Sequence, residues 1–173
     1  MIELGEQVSE WSIESISESE IPTLESYKGK PLLILFFNLG CPGCKGRALP
    51  FANWVNIEYK DKINVLGIHT NFEGVDFTDE QLVGCKSEFY INFPYFRDKN
   101  FNTTFINYGA GGTPHWILIN KNKKLDYSIF GSDPNNALLR LDLKIQELIK
   151  QYSWKDIFLY SGKQQKLSNH SKE

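Results

Sequence analysis

The stretch Leu32-Leu33-Ile34-Leu35-Phe36-Phe37-Asn38-Leu39-Gly40-Cys41-Pro42-Gly43-Cys44 decides the fold. Its first six residues are apolar without a break, over a length that suits a strand buried on both faces, as in a parallel sheet. Asn38-Leu39-Gly40 ends that run, and Cys41 opens what reads as a helix to about Tyr59. Leu49, Phe51, Ala52, Val55 and Tyr59 lie there at roughly helical spacing, and Pro50, which has no N–H to donate, predicts a kink. Ile63 to His69 is a second buried strand. Strand, helix, strand in this order is a βαβ unit, whose crossover is right-handed.

Outward from this unit the pattern continues. Trp11, Ile13 and Ile16, interleaved with Ser and Glu, predict a short amphipathic strand, and Tyr27-Lys28-Gly29-Lys30-Pro31 a turn. Downstream, Thr78 to about Tyr90 reads as a helix, with Thr78 as N-cap and Gln81 completing a capping box. Phe93 to Phe96 suggests a short strand and Asn100 to Tyr108 a short helix. After Gly109-Ala110-Gly111-Gly112 and Thr113-Pro114, the strand His115 to Ile119 pairs across the turn Asn120 to Lys123 with Lys124 to Phe130. A last helix is expected from Ser132 or Asp133, with Pro134 at its first position and Leu138, Leu141, Ile145, Leu148 and Tyr152 on one face. Residues 1–152 are thus expected to form one domain, and 153–173 a polar tail, without periodicity from Ser161 and disordered toward its end.

Composition excludes several classes. A chain of 173 residues with 41% hydrophobic and 14% aromatic residues can bury a core of its own. Its formal charge of -2 lacks the basic footprint of a nucleic-acid binder, so no nucleic acid is expected as partner. The longest apolar stretch, Pro31 to Phe37, is far below the ~18–20 residues of a membrane span. The start Met1-Ile2-Glu3-Leu4-Gly5-Glu6 has neither the basic flank nor the apolar run of a secretory signal. The expected location is the cytoplasm, the alternative being an exported protein whose signal has been removed. Three cysteines cannot build a disulfide framework, and in a reducing compartment a close pair is more often redox-active or metal-binding than structural.

Cys41 and Cys44 form such a pair at a strand-to-helix junction. The free N–H groups and partial positive charge of a helix N-terminus favour a thiolate, which points to Cys41 as nucleophile. The two-residue spacer lets Cys44 reach back as resolving thiol, with Lys45 beside the turn. A four-ligand zinc site would need a second close pair of ligands, and Cys85 has no neighbouring Cys or His. No metal and no cofactor are therefore expected beyond the Cys41–Cys44 couple itself. Cys85 reads as an apolar filler in a helix, with a resolving role secondary. His115 is expected to face away from Pro114 by strand alternation. His69, with Glu73, is placed at the strand ends where ligands gather in open α/β sheets, though a structural role is the commoner one. Trp54 and Trp116 read as core residues, and the aromatic run Phe89 to Phe96 as packing.

Taken with Gly112-Thr113-Pro114, the Cys-Pro-Gly-Cys pair resembles the thioredoxin superfamily, and most closely its TlpA/ResA-like redoxin branch. The likeness spans about Ile2 to Gln151. It implies a thioredoxin-like α/β fold: a central mixed sheet flanked by helices, with an N-terminal strand extension and an inserted segment after the second core strand. It further implies that Pro114 is cis and opposes the cysteine turn, that the Thr113 backbone pairs with an extended substrate chain, and that Pro42 and Gly43 border the substrate. The implied activity is thiol-disulfide exchange, expected here as reduction of protein disulfides by a monomer recharged by an upstream thiol reductant. Three departures stand out: Leu35 occupies the position of the buried acid of thioredoxins, Pro50 lies six instead of five residues after Cys44, and Gly40-Cys41-Pro42-Gly43-Cys44 lacks the usual Trp and reverses the commoner dipeptide. Two alternatives remain open at this point. One is a copper or zinc carrier using Cys41, Cys44 and a histidine. The other is a peroxidase of the peroxiredoxin type, which usually carries Thr or Ser where this chain has Asn38.

Overall fold

A computed structural model describes residues 2–72 and 76–150 of the chain. Glu73, Tyr152 and the expected polar tail 153–173 lie outside the described residues. The apolar hexad forms strand β2 (Leu32–Phe37), and all six of its side chains are buried. β2 pairs in parallel with β3 (Asn64–His69) and antiparallel with β5 (His115–Ile119), so the sheet is mixed. With β1 (Ile13–Glu14), β4 (Tyr95–Asp98) and β6 (Leu125–Phe130) the strand order is β1-β4-β3-β2-β5-β6. The hydrophobic run therefore occupies the centre, where no polar backbone edge is left open.

Alternation along β2 divides the core. Leu33, Leu35 and Phe37 face one layer with Cys44, Leu49, Ala52, Val55, Cys85, Leu141 and Ile145. Leu32, Ile34 and Phe36 face the other, with Val8, Trp11, Phe105 and Tyr108. Each such side chain contributes about 1.5–3 kcal/mol on burial, which fixes the strand's register and thus where its C-terminal end delivers Cys41.

The helix after the cysteine pair departs from a plain α-helix. Residues 42–58 are helical, but Cys44–Ala48 form a π-turn in which the Leu49 N–H reaches back to the Cys44 carbonyl, and regular α-helix α1 follows over Leu49–Glu58. A π-turn is the form one extra residue takes inside an α-helix. It accounts for the six-residue step from Cys44 to Pro50, because Pro50 sits at the opening of the α-helical part, where its missing N–H is tolerated.

Helix α2 (Asp79–Glu88) is capped at Thr78 with the full capping box to Gln81. It and β4 form the segment between β3 and β5, followed by the short α3 (Thr103–Asn107). The strand expected around Trp11, Ile13 and Ile16 is shorter than its apolar spacing suggested: Ile13 and Glu14 pair with Asp98 and Arg97, while further upstream Gln7 bridges Lys124 beside β6. β4 begins two residues later than expected, at Tyr95, directly after Pro94, which has no N–H to give to a sheet. The final helix, α4, runs over 137–150, so the expected start at Ser132 or Asp133 is corrected. Residues 134–136 form a turn instead, in which the Asp133 side chain takes the Asn135 N–H and its carbonyl the Leu138 N–H. Trp54 is a second correction. It is 41% exposed, lying on the outer side of α1 against Phe51 and Tyr59, whereas Trp116 is fully buried as expected.

Candidate active site

β2 ends at Phe37 and the chain turns through Asn38, Leu39 and Gly40 into the helix that carries both cysteines. The Cys41 N–H closes this turn on the Asn38 carbonyl at 3.1 Å. Cys41 is half-buried and Cys44 fully buried, and both are free thiols. The Cys44 N–H donates to the Cys41 sulfur at 3.3 Å, so a backbone donor at the start of the helix points at the accessible sulfur. Burial pushes the Cys44 thiol far up, and its hydrogen bond to Cys41 acts in the same direction. Burial thus favours the protonated form of Cys44.

Thr113-Pro114 lies opposite, and its peptide bond is cis. The Cys41 thiol donates to the Thr113 carbonyl at 3.3 Å. Gly43 faces the same segment: a Cβ there would stand 3.7 Å from Pro114 Cδ and 2.8 Å from Ser132 Oγ. The structure therefore brings Cys41, Cys44, Gly43, Thr113 and Pro114 together, while Pro42 is exposed on the rim. Behind Pro114, its carbonyl accepts the Gly131 N–H at 2.8 Å, and the Gly131 carbonyl accepts Trp116 Nε1–H at 2.9 Å. The buried indole thus fixes the loop after β6 against the cis-proline.

The remaining candidates separate cleanly. His115 faces away, as alternation predicts. One ring nitrogen accepts the Gly111 N–H at 3.3 Å and the other is paired with Ser128 Oγ at 2.8 Å, and burial lowers its pKa to about 4. Cys85 is buried in the core, its thiol turned to the Gln81 carbonyl and pushed up to about 11 by burial. His69 is 1% exposed and lies behind the cysteine loop, where its Nε2 accepts the Leu39 N–H at 3.1 Å. Leu35 is fully buried in the same layer as Cys44, so a leucine fills the place of the acid that the resemblance would put there. Asn38 is a further residue of the site. Its Oδ1 takes the Gly40 N–H at 2.7 Å, and its Nδ2 donates to the Thr70 carbonyl and to Asn71 Oδ1. The one signal for it in the sequence was a polar amide directly between a buried strand and a cysteine.

A buried mixed sheet that delivers a dithiol to a helix start facing a cis-proline defines the thioredoxin-like redoxins. The chain belongs to the AhpC/TSA family, whose profile matches residues 4–128. Among solved structures it is similar to a thioredoxin-like superfamily protein, 31% identical with a TM-score of 0.73, over 83% of this chain and 96% of that one. A thiol-disulfide isomerase from Corynebacterium glutamicum is 25% identical with a TM-score of 0.72, over 82% and 95% of the two chains. The fold is shared by a protein of Chlorobium tepidum assigned as the thiol:disulfide interchange protein DsbE, at 18% identity and a TM-score of 0.75, over 86% and 99%. No curated protein matches the chain. Among the described residues no helix is long and apolar enough to cross a membrane.

Proposed function

We propose that the protein is a thiol-disulfide oxidoreductase that reduces protein disulfides through the Cys41–Cys44 couple. The observation that carries this reading is the asymmetry of the pair. Cys41 is accessible, receives a helix N–H and faces the Thr113 carbonyl, whereas Cys44 is buried directly beneath it with its proton retained.

The cycle follows from that asymmetry. The Cys41 thiolate attacks one sulfur of the substrate disulfide, forming a mixed disulfide and releasing the other sulfur as a thiolate, which takes up a proton. Cys44 loses its proton and attacks Cys41 Sγ, forming the Cys41–Cys44 disulfide and releasing the second substrate sulfur. Two electrons have then passed to the substrate, and an external dithiol must return them. Because the Thr113 carbonyl stands 3.3 Å from Cys41 Sγ, a substrate chain that pairs with the Thr113 backbone lies across the sulfur. Gly43 leaves the space beside Pro114 open for that chain.

The two alternatives draw less support. A metal carrier needs a histidine near the pair; His115 has both ring nitrogens engaged, by Gly111 and Ser128, and His69 has its Nε2 taken by the Leu39 N–H. A peroxidase of the peroxiredoxin type needs a hydroxyl at position 38, and the amide there is bound to Gly40, Thr70 and Asn71. The test is insulin disulfide reduction with dithiothreitol as electron donor. Activity is expected to vanish in Cys41→Ala, and unchanged turnover in that variant would overturn the reading.

A further inference from the structure

Resting on the reading of Cys41 as the attacking sulfur, we propose that Asn38 and His69 are positioning residues: together they hold the two backbone units before Cys41 and so set how the sulfur meets the helix N–H. The two side chains come from the ends of neighbouring parallel strands, β2 and β3. His69 Nε2 accepts the Leu39 N–H at 3.1 Å, and Asn38 Oδ1 accepts the next N–H, that of Gly40, at 2.7 Å. The third consecutive N–H, that of Cys41, is taken by the Asn38 carbonyl at 3.1 Å. The three consecutive N–H groups of Leu39, Gly40 and Cys41 thus all meet protein acceptors, which holds the approach to the helix in one conformation.

Both side chains are locked from behind. Asn38 is 8% exposed, and its Nδ2 donates to the Thr70 carbonyl at 2.8 Å and to Asn71 Oδ1 at 2.6 Å, which fixes the amide with its oxygen toward Gly40. Asp76 Oδ1 accepts from Asn71 Nδ2 and from Arg97 Nη1, and Arg97 Nη2 donates to Asp79 and to the Phe77 carbonyl just ahead of α2. The loop is thereby tied to β4 and α2. His69 is held between the edges of Phe37 and Phe77, at 5.3 and 5.6 Å between ring centres. Gly40 belongs to the same device: a Cβ there would stand 3.0 Å from Asn38 Oδ1, close enough to push the acceptor back by a few tenths of an ångström.

The arrangement dictates a tautomer. Since Nε2 is an acceptor, a neutral His69 carries its proton on Nδ1. A protonated ring would turn a second donor on the Leu39 N–H. The charged groups facing His69 are Arg97 from β4, which disfavours that state, and Asp76 ahead of α2, which favours it; burial outweighs both.

Two measurements test the proposal. In the unmodified protein, imidazole carbon and nitrogen NMR at pH 7 is expected to show His69 as the neutral Nδ1–H tautomer; an Nε2–H tautomer or an imidazolium overturns it, and this needs no variant to fold. In the second, the rate of Cys41 with a small aromatic disulfide is compared in Asn38→Ala, His69→Phe and His69→Gln. Each of the first two is expected to slow Cys41 by about fivefold, the factor of one net hydrogen bond, while His69→Gln, which keeps an acceptor, stays within about twofold of the parent. Folded Asn38→Ala and His69→Phe proteins that react at the parental rate overturn the proposal. A parent whose Cys41 does not react at all defeats the reading of the nucleophile instead, and leaves the tautomer result standing on its own.

Discussion

Trp116→Phe tests how the core supports the site. The indole is fully buried on β5, meets Phe51 edge-on at 5.5 Å between ring centres, and donates Nε1–H to the Gly131 carbonyl at 2.9 Å. Gly131 in turn donates to the Pro114 carbonyl at 2.8 Å. Phenylalanine removes the donor, which costs about 1 kcal/mol because the Gly131 carbonyl is half-buried and can recover water only in part. It also leaves part of the indole volume empty. Complete truncation of a buried tryptophan costs about 3–5 kcal/mol, so the smaller change to a phenyl ring adds about 1–2 kcal/mol. The sum is about 2–3 kcal/mol, equivalent to a melting temperature lower by about 4–12 °C for a chain of this size. Urea unfolding followed by far-UV circular dichroism measures it directly, with an unchanged slope expected. The disulfide-reduction rate is expected to fall as well, since the anchor of Pro114 is loosened. A loss below about 0.5 kcal/mol, the range of an ordinary surface change, would refute the assignment of Trp116 as the brace behind the cis-proline.

Three further outcomes follow from the same geometry. Gly67→Ala places a Cβ 2.8 Å from Tyr95 Cβ, 3.0 Å from Phe93 Cε2 and 3.2 Å from Phe37 Cε1, all fixed by the sheet, so a destabilisation of about 1–3 kcal/mol is expected in chemical unfolding; an unchanged midpoint would show that β3 and β4 are not packed this closely. His69 and His115 are both held neutral by burial, with pKa values lowered from 6.5 to about 4. A histidine with a depressed folded pKa contributes stability that is present above pH 6.5 and lost as pH falls toward 4, because the unfolded chain binds the proton first. Unfolding free energy should therefore drop between pH 7 and pH 5, and stability that is flat across this window would contradict their burial. Finally, Cys85→Ala should leave insulin reduction unchanged, since Cys85 is buried with its thiol turned into its own helix; lost turnover at retained stability would place it in the redox cycle.

Much of this organisation was legible from residue pattern alone. The unbroken apolar hexad fits a central strand by its length and flanking turn residues, the Thr78–Gln81 box marks a helix start, and a cysteine pair after such a strand is delivered to a helix start by the topology. What escaped the sequence depended on contacts between distant segments. Pro134 suits a helix start, but the Asp133 side chain and carbonyl capture the following N–H groups and delay the helix to residue 137. Trp54 reads as core by its chemistry, yet the face of α1 it occupies is set by the π-turn and by Leu49, Ala52 and Val55 facing the sheet. His69 and Asn38 could be placed at strand ends, but that they converge on successive N–H groups of one loop follows only from the parallel register of β2 and β3, with Phe37 opposite His69.

The central claim is that Cys41 attacks and Cys44 resolves. Its most direct measurement is mass spectrometry of the Cys44→Ala protein after exposure to a disulfide-bonded peptide. The account predicts a stable mixed disulfide with half of the peptide, mapped to Cys41 and absent from Cys85. An adduct on Cys85 at native stability, or no adduct while the parent protein still reduces the peptide, would contradict it.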